Sequence, residues 1–262
     1  MSTLAFIGAG NMAEAIARGL LRINTQILAA DPSPDRQRLF NELNIRCVSN
    51  SAEIVPQADI VILATKPFVM TDALQQIKPL LKPNALIISI AAGISTKFIE
   101  QTLGNDRRVI RVMPNTPMLV GKGISALARG SFATEDDLLT AEQIFAAAGK
   151  TIRVPESAMD AVTALSGSGP AYIFFLTEAM TQAGITLGLT DLQAAQLARQ
   201  TVIGATALLE QSPDTPAELR RKVTTPNGTT HAAIESMQKQ NFTDLITNAL
   251  TAAADRSKEL GK

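Results

Sequence analysis

Cysteine, histidine and excess charge are what this 262-residue sequence has least of. It carries one cysteine, Cys47, and one histidine, His231. A lone cysteine rules out an intramolecular disulfide framework and points to a reducing compartment. One Cys and one His cannot build a zinc site of those ligands, and no carboxylate cluster stands in for them, so no metal is expected. Lys plus Arg and Asp plus Glu each total 24, for a formal net charge of zero. That balance argues against a broad electrostatic grip on nucleic acid or acidic lipid. Long hydrophobic runs are missing too. The most apolar helical stretch, Ala171 to Leu176, stops at Thr177 and Glu178, too short to span a bilayer. The N-terminus leads straight into a strand pattern, without the basic region, apolar core and cleavage site of a secretory signal. The expectation is a soluble cytoplasmic protein with no membrane or nucleic-acid partner.

What is present begins at the first residues. Leu4 to Ile7 reads as a buried strand and Met12 to Leu21 as a helix, with Gly8-Ala9-Gly10-Asn11-Met12-Ala13 between and into them. Gly8 lets the chain turn sharply off the strand. Gly10 leaves room for a pyrophosphate to approach the backbone, and Ala13 is small enough for close helix–strand packing. The exposed amides and positive end of the helix then face the phosphates. Asp31 ends the second strand, about twenty positions beyond Gly10, where a carboxylate accepts hydrogen bonds from a ribose with a free 2′-hydroxyl. Ser33 and Arg36 follow, and would hold a 2′-phosphate if Asp31 turned away. The residues leave both choices open, but the whole context reads as a dinucleotide site rather than an ordinary tight turn.

Short apolar runs alternate with helical patterns up to about residue 154. Strands are expected at Leu4–Ile7, Ile27–Ala30, Arg46–Val48, Ile60–Ala64, Leu86–Ile90, Val109–Met113, Ile124–Ala128 and Thr151–Val154. Several are apolar throughout, as parallel strands covered on both faces are. Thr134 is the expected N-cap of a helix over Glu135 to Ala148. After Pro155 the strand signals stop. Helices are expected over Ser157–Leu165, from Pro170 to Gly184, over Asp191–Gln211, from Pro216, over His231–Gln240, and from a Thr243 cap to about Leu260. The pattern is a doubly wound, Rossmann-type α/β domain with a mostly parallel sheet (1–155), followed by an all-helical domain (156–262). Ile173, Phe174, Phe175, Leu176, Leu192, Leu197, Ile203 and Leu208 are more apolar surface than such short helices hide, so burial against a second subunit is expected.

Other candidate ligand-facing residues follow strand ends. Ala64, Thr65, Lys66 and Pro67 end one strand, and Ile90, Ala91 and Ala92 another, on the edge where doubly wound sheets bind ligands. In Arg111-Val112-Met113-Pro114-Asn115-Thr116-Pro117, Asn115 is the ligand-facing candidate and Arg111 reads as a structural pair partner. Two small-residue loops lie in the helical part, Ser166 to Pro170 and Asn227 to Thr230. The second opens a helix whose amides suit a carboxylate, with Thr229 or Thr230 expected as its N-cap. His231 reads as a helix-start histidine, with an acid–base role as the alternative. Cys47 falls in a strand and is not expected to be a nucleophile.

Val162-Thr163-Ala164-Leu165-Ser166-Gly167-Ser168-Gly169-Pro170-Ala171-Tyr172, with Arg111–Pro117 and Val223–His231, resembles pyrroline-5-carboxylate reductase essentially from end to end. The resemblance implies reduction of the cyclic imine 1-pyrroline-5-carboxylate to L-proline by NADPH (favoured) or NADH. Carried over by position, it implies cofactor contacts at Ile7, Gly8, Ala9, Gly10, Asn11, Met12, Ser33, Asn50, Ala64, Thr65, Lys66, Pro67, Ile90, Ala91 and Ala92. It implies substrate contacts at Ser166, Gly167, Ser168, Gly169, Thr225, Asn227, Gly228, Thr229 and Thr230, with Thr230 matching the threonine beside the imine nitrogen. The family usually has a second glycine where Asn227 stands, and usually lacks an acid at Asp31. A homodimer is implied, often assembled further into rings. A β-hydroxyacid dehydrogenase would need a lysine on its core helix, and no lysine occurs between Lys150 and Lys222. A non-catalytic dinucleotide sensor would not need the two glycine-rich loops.

Overall fold

The computed structural model describes residues 2–21, 25–104 and 106–261. By internal packing the chain divides into two units, residues 1–168 with 251–262, and residues 169–250.

The first unit is built on eight strands: β1 (Thr3–Ile7), β2 (Gln26–Ala30), β3 (Arg46–Val48), β4 (Ile60–Leu63), β5 (Leu86–Ser89), β6 (Arg108–Met113), β7 (Gly123–Arg129) and β8 (Gly149–Arg153). They form one sheet in the order β3-β2-β1-β4-β5-β6-β7-β8. Among the described residues only the β6–β7 pairing is antiparallel. The strands therefore fall where the apolar runs put them, and the doubly wound architecture is as expected. The reason is the pleat. Successive side chains of β1 point to opposite faces, so Leu4 and Phe6 join one core with Ile16, Phe40, Ile62 and Phe145. Ala5 and Ile7 join a second core on the other face, with Val61, Leu63, Met70 and Leu74. Helices α1 (Asn11–Leu20), α2 (Pro34–Glu42), α3 (Met70–Ile77), α4 (Thr96–Leu103) and α5 (Glu135–Ala146) supply the covering layers. Thr134 caps α5 as expected, in a reciprocal box: its Oγ1 accepts from the Asp137 amide at 3.2 Å and Asp137 Oδ2 accepts from the Thr134 amide at 2.8 Å.

The expected helix over 157–165 is irregular. A short α6 (Met159–Val162) runs into a π-helical turn, Thr163–Gly167, closed by Ser168 N–H donating to the Thr163 carbonyl at 2.8 Å. Hydroxyls bonded into the preceding turn loosen the helix here: Thr163 Oγ1 donates to Met159 O at 2.8 Å and Ser166 Oγ to Val162 O at 3.1 Å.

The second unit holds α7 (Gly169–Thr186), α8 (Asp191–Gln211), α9 (Pro216–Lys222) and α10 (Thr229–Lys239), and α11 (Phe242–Leu260) begins in it. Helix α8 has the expected limits, because Thr190 and Gln193 form a capping box at its start. Helix α11 begins one residue before Thr243, so that threonine lies inside the first turn instead of capping it. In the single chain α7 buries no side chain fully, and α8 buries only Ala194 and Ala198.

Candidate active site

The switch point of the sheet lies between β1 and β4, where the chain leaves β1 for one side and returns to β4 on the other. Gly8 sits there with φ +96°, and a Cβ on it would lie 2.8 Å from the Ala64 carbonyl oxygen. No other residue fits without moving the loop after β4. A Cβ on Gly10, by contrast, would meet nothing within 4 Å. Gly10 is also the N-cap of α1 and brings no side chain to its first-turn amides. Open space in front of bare amides at a helix N-terminus is what a pyrophosphate requires, so these residues fit a dinucleotide.

A cleft of about 540 Å³ opens from this point. Of the expected cofactor residues, Ile7, Gly8, Gly10, Asp31, Ala64, Thr65 and Lys66 line it. Ala9 is fully buried behind the loop, and Asn11 and Met12 begin α1. Pro67 opens the turn before α3, and Ile90, Ala91 and Ala92 leave β5 on the same sheet edge as Ala64. Asn50 is not in the lining. Its Oδ1 accepts from Ala52 N at 2.9 Å, capping a short turn, while the flanking Ser49 and Ser51 face the cleft. Ser51 is 5% exposed and its Oγ has no partner within the protein. Phe68 and Val69, in the turn before α3, and Asp72, Ala73 and Gln76, within α3, also line the cleft and were not anticipated. Their only signal in the sequence is position just beyond a β4-type strand end.

Asp31 Oδ2 accepts from Ala9 N at 2.7 Å and Oδ1 from Ser33 N at 2.9 Å. Ser33 caps α2, its Oγ accepting from Arg36 N at 3.5 Å, and neither Ser33 nor Arg36 lines the cleft. Nearby, burial first and the charge of Asp31 second push the Cys47 thiol up to about 11. That thiol stays protonated and is no nucleophile.

At the end of β6, Asn115, expected to face a ligand, is 8% exposed. Its Oδ1 accepts from Ile124 N at 2.9 Å and its Nδ2 donates to Ser166 O at 3.2 Å, so both polar atoms brace the rim of the sheet. Arg111 is the structural pair partner its position suggested. It is buried and lies 3.5 Å from Glu156 and 3.8 Å from Asp160. Glu156 also accepts from Thr96 N at 2.7 Å, and Asp160 from Ser257 Oγ at 2.7 Å. Ser166, Gly167 and Ser168 lie in or just after the π turn, and a Cβ on Gly167 would come 2.4 Å from Met113 Cε. Gly169 opens α7.

In the second unit, Thr225 and Gly228 close a turn, Gly228 N–H donating to Thr225 O at 2.9 Å. Asn227 has φ +60°, a left-handed conformation that glycine favours and asparagine tolerates. Gly228, not a threonine, is the N-cap of α10, with no side-chain cap. Thr229 and Thr230 become its first two residues, and His231 the third, so this helix starts two residues earlier than expected. Among the described residues no cluster of His, Cys, Asp and Glu could hold a metal ion, and no helix is long and apolar enough to cross a membrane.

Comparison with known proteins decides the family. Residues 156–260 match the model of pyrroline-5-carboxylate reductase dimerisation, and residues 3–93 that of NADP oxidoreductase, coenzyme F420-dependent. A pyrroline-5-carboxylate reductase of Pseudomonas aeruginosa is 46% identical over 100% of this chain and 98% of its own. The chain belongs to the pyrroline-5-carboxylate reductase family. The structure of such a reductase from Coxiella burnetii matches with a TM-score of 0.91 at 38% identity, over 100% and 99% of the two chains. That of the Plasmodium falciparum enzyme with NADP bound matches with a TM-score of 0.88 at 30% identity, over 100% and 98%. As a pyrroline-5-carboxylate reductase family member, the protein is an NAD(P)H-dependent oxidoreductase with a small-molecule substrate, and its dimerisation domain makes it a homo-oligomer.

Proposed function

We propose that the protein catalyses the last step of proline synthesis, reducing 1-pyrroline-5-carboxylate to L-proline with NAD(P)H. What supports this chemistry most directly is the start of α10, an 11-residue helix whose first-turn amides no side chain caps, beside the Thr229 and Thr230 hydroxyls. The bound nicotinamide supplies the hydride. Thr225, Asn227, Gly228 and Thr229 hold the substrate carboxylate at the positive end of that helix. The resemblance also assigns Ser166, Gly167, Ser168 and Gly169 to the substrate. The Thr230 hydroxyl accepts a hydrogen bond from the N–H of the protonated imine. That proton places positive charge on the C=N group, so its carbon accepts hydride and the π electrons settle on nitrogen as the amine forms. Orientation, more than a strong acid or base, is then what the protein must provide. The sparse inventory of titratable groups suits this division of work.

The working parts are taken as residues 1–155 for the dinucleotide and 156–262 for substrate and assembly. A homodimer is the minimal assembly, a ring of dimers the larger form to seek by sedimentation, and the cytoplasm the location. Oxidation of NADH and NADPH, followed with and without the imine acid, tests the reaction. Imine-dependent oxidation yielding L-proline is expected. Cofactor binding with no imine-dependent turnover would make the protein a sensor instead.

A further inference from the structure

Resting on the reductase reading, we propose that Asp31 selects the cofactor and that this chain takes NADH, with its free 2′-hydroxyl, in preference to NADPH. Asp31 faces the cleft at the end of β2 and is held from two sides, by Ala9 N–H at 2.7 Å and Ser33 N–H at 2.9 Å. These bonds fix its orientation and restrain it from turning away. A carboxylate has about four lone-pair sites, so two remain for the 2′- and 3′-hydroxyls of an adenosine ribose. A 2′-phosphate has no hydroxyl to donate at that point and brings like charge against the carboxylate.

The cation that could offset this is committed elsewhere. Arg36 donates from Nε to the Ala9 carbonyl, from Nη1 to Asn11 Oδ1 at 3.3 Å and from Nη2 to Glu14 Oε2 at 3.1 Å. Its guanidinium also lies 5.9 Å from the centre of the Phe40 ring. All three nitrogens are engaged, and Arg36 is absent from the cleft lining, whose charged members are Asp31, Asp72 and Lys66. The cleft is net negative.

Equilibrium titration of the full protein with NADH and with NADPH, read by cofactor fluorescence without imine, tests the proposal. NADH should bind at least about tenfold more tightly. Asp31→Ser should shrink or invert that ratio, chiefly by tightening NADPH. Asp31→Asn, uncharged but of the same shape, should shrink it too, and serves if the serine variant melts early. NADPH binding as tightly as NADH to the unaltered protein overturns the proposal, as does an unchanged ratio in a folded Asp31 variant. Imine turnover is recorded separately. NADH preference in binding with no turnover sinks the reductase reading and leaves Asp31's role standing. Turnover that prefers NADPH does the reverse.

Discussion

Strand β4 and helix α7 are both rich in large apolar residues, yet they end in opposite states. Every residue of β4 is buried, Val61, Ile62 and Leu63 completely, because helices cover both faces of the sheet. Helix α7 leaves Phe174 69% and Phe175 72% exposed. One element is satisfied within its own unit, while the other leaves large apolar side chains exposed in the single chain. The lesson is that hydrophobicity alone does not locate a core. The first unit's apolar residues serve its own fold, and the exposed ones of the second unit are the surface on which to test the assembly.

That contrast can be broken most forcefully on the helical side. Phe175→Glu would place an unpaired charge in any surface that assembly covers, at a cost of roughly 3–5 kcal/mol. Sedimentation should then show monomer, and imine reduction should fall on the order of a hundredfold; an intact, active oligomer would mean that α7 is not at the interface. In the sheet, Ile62→Ala should cost about 2–5 kcal/mol through the cavity it leaves. Its loss of melting temperature should be the same at all protein concentrations, whereas that of Phe175→Glu should depend on dilution. Separating the chemistry of the two units, Thr230→Ala should lower kcat roughly ten- to hundredfold while NADH titrates as before. Equal weakening of cofactor binding would remove the assigned role.

The smallest effect is electrostatic. The Lys82 ammonium first, and the Thr3 amide next, hold the Asp59 carboxyl below its ordinary value of 3.8. Because the folded value is the lower one, Asp59 contributes stability above pH 3.8 that is lost as pH falls through the folded value. The pair is 40% and 44% exposed, so Asp59→Asn should cost no more than about 1 kcal/mol at pH 7 and almost nothing in strong acid, read from urea midpoints. Asp214, held down by Lys222 in the helical unit, should move in the same direction.

Much of this was legible beforehand. The inner strands such as β1, β4 and β5 were visible because burial on both faces removes polar residues from them, and α8 because Thr190 announces its start. Gly8 and Gly10 were readable from context, although only geometry shows that one is excluded by the Ala64 carbonyl and the other faces open space. What stayed hidden depends on side-chain choices made in three dimensions. Asn50 caps its own turn and hands the cleft to Ser51, and Asn115 turns both amide atoms onto backbone. The α10 cap fell to Gly228 because Asn227 takes the left-handed conformation, which its letter permits but does not require. Arg36, a plausible phosphate ligand by spacing, is drawn away by Glu14, which a linear reading does not bring near it.

The single thiol at Cys47 has a practical use. It is shut into the first unit within the β2–β3 pairing, protonated and inaccessible, with no second thiol to complicate its chemistry. Its alkylation rate is therefore a clock for the opening of that part of the sheet alone. Dinucleotide seated against the neighbouring Asp31 should slow the clock, which would let ligand protection be measured without any catalytic assay.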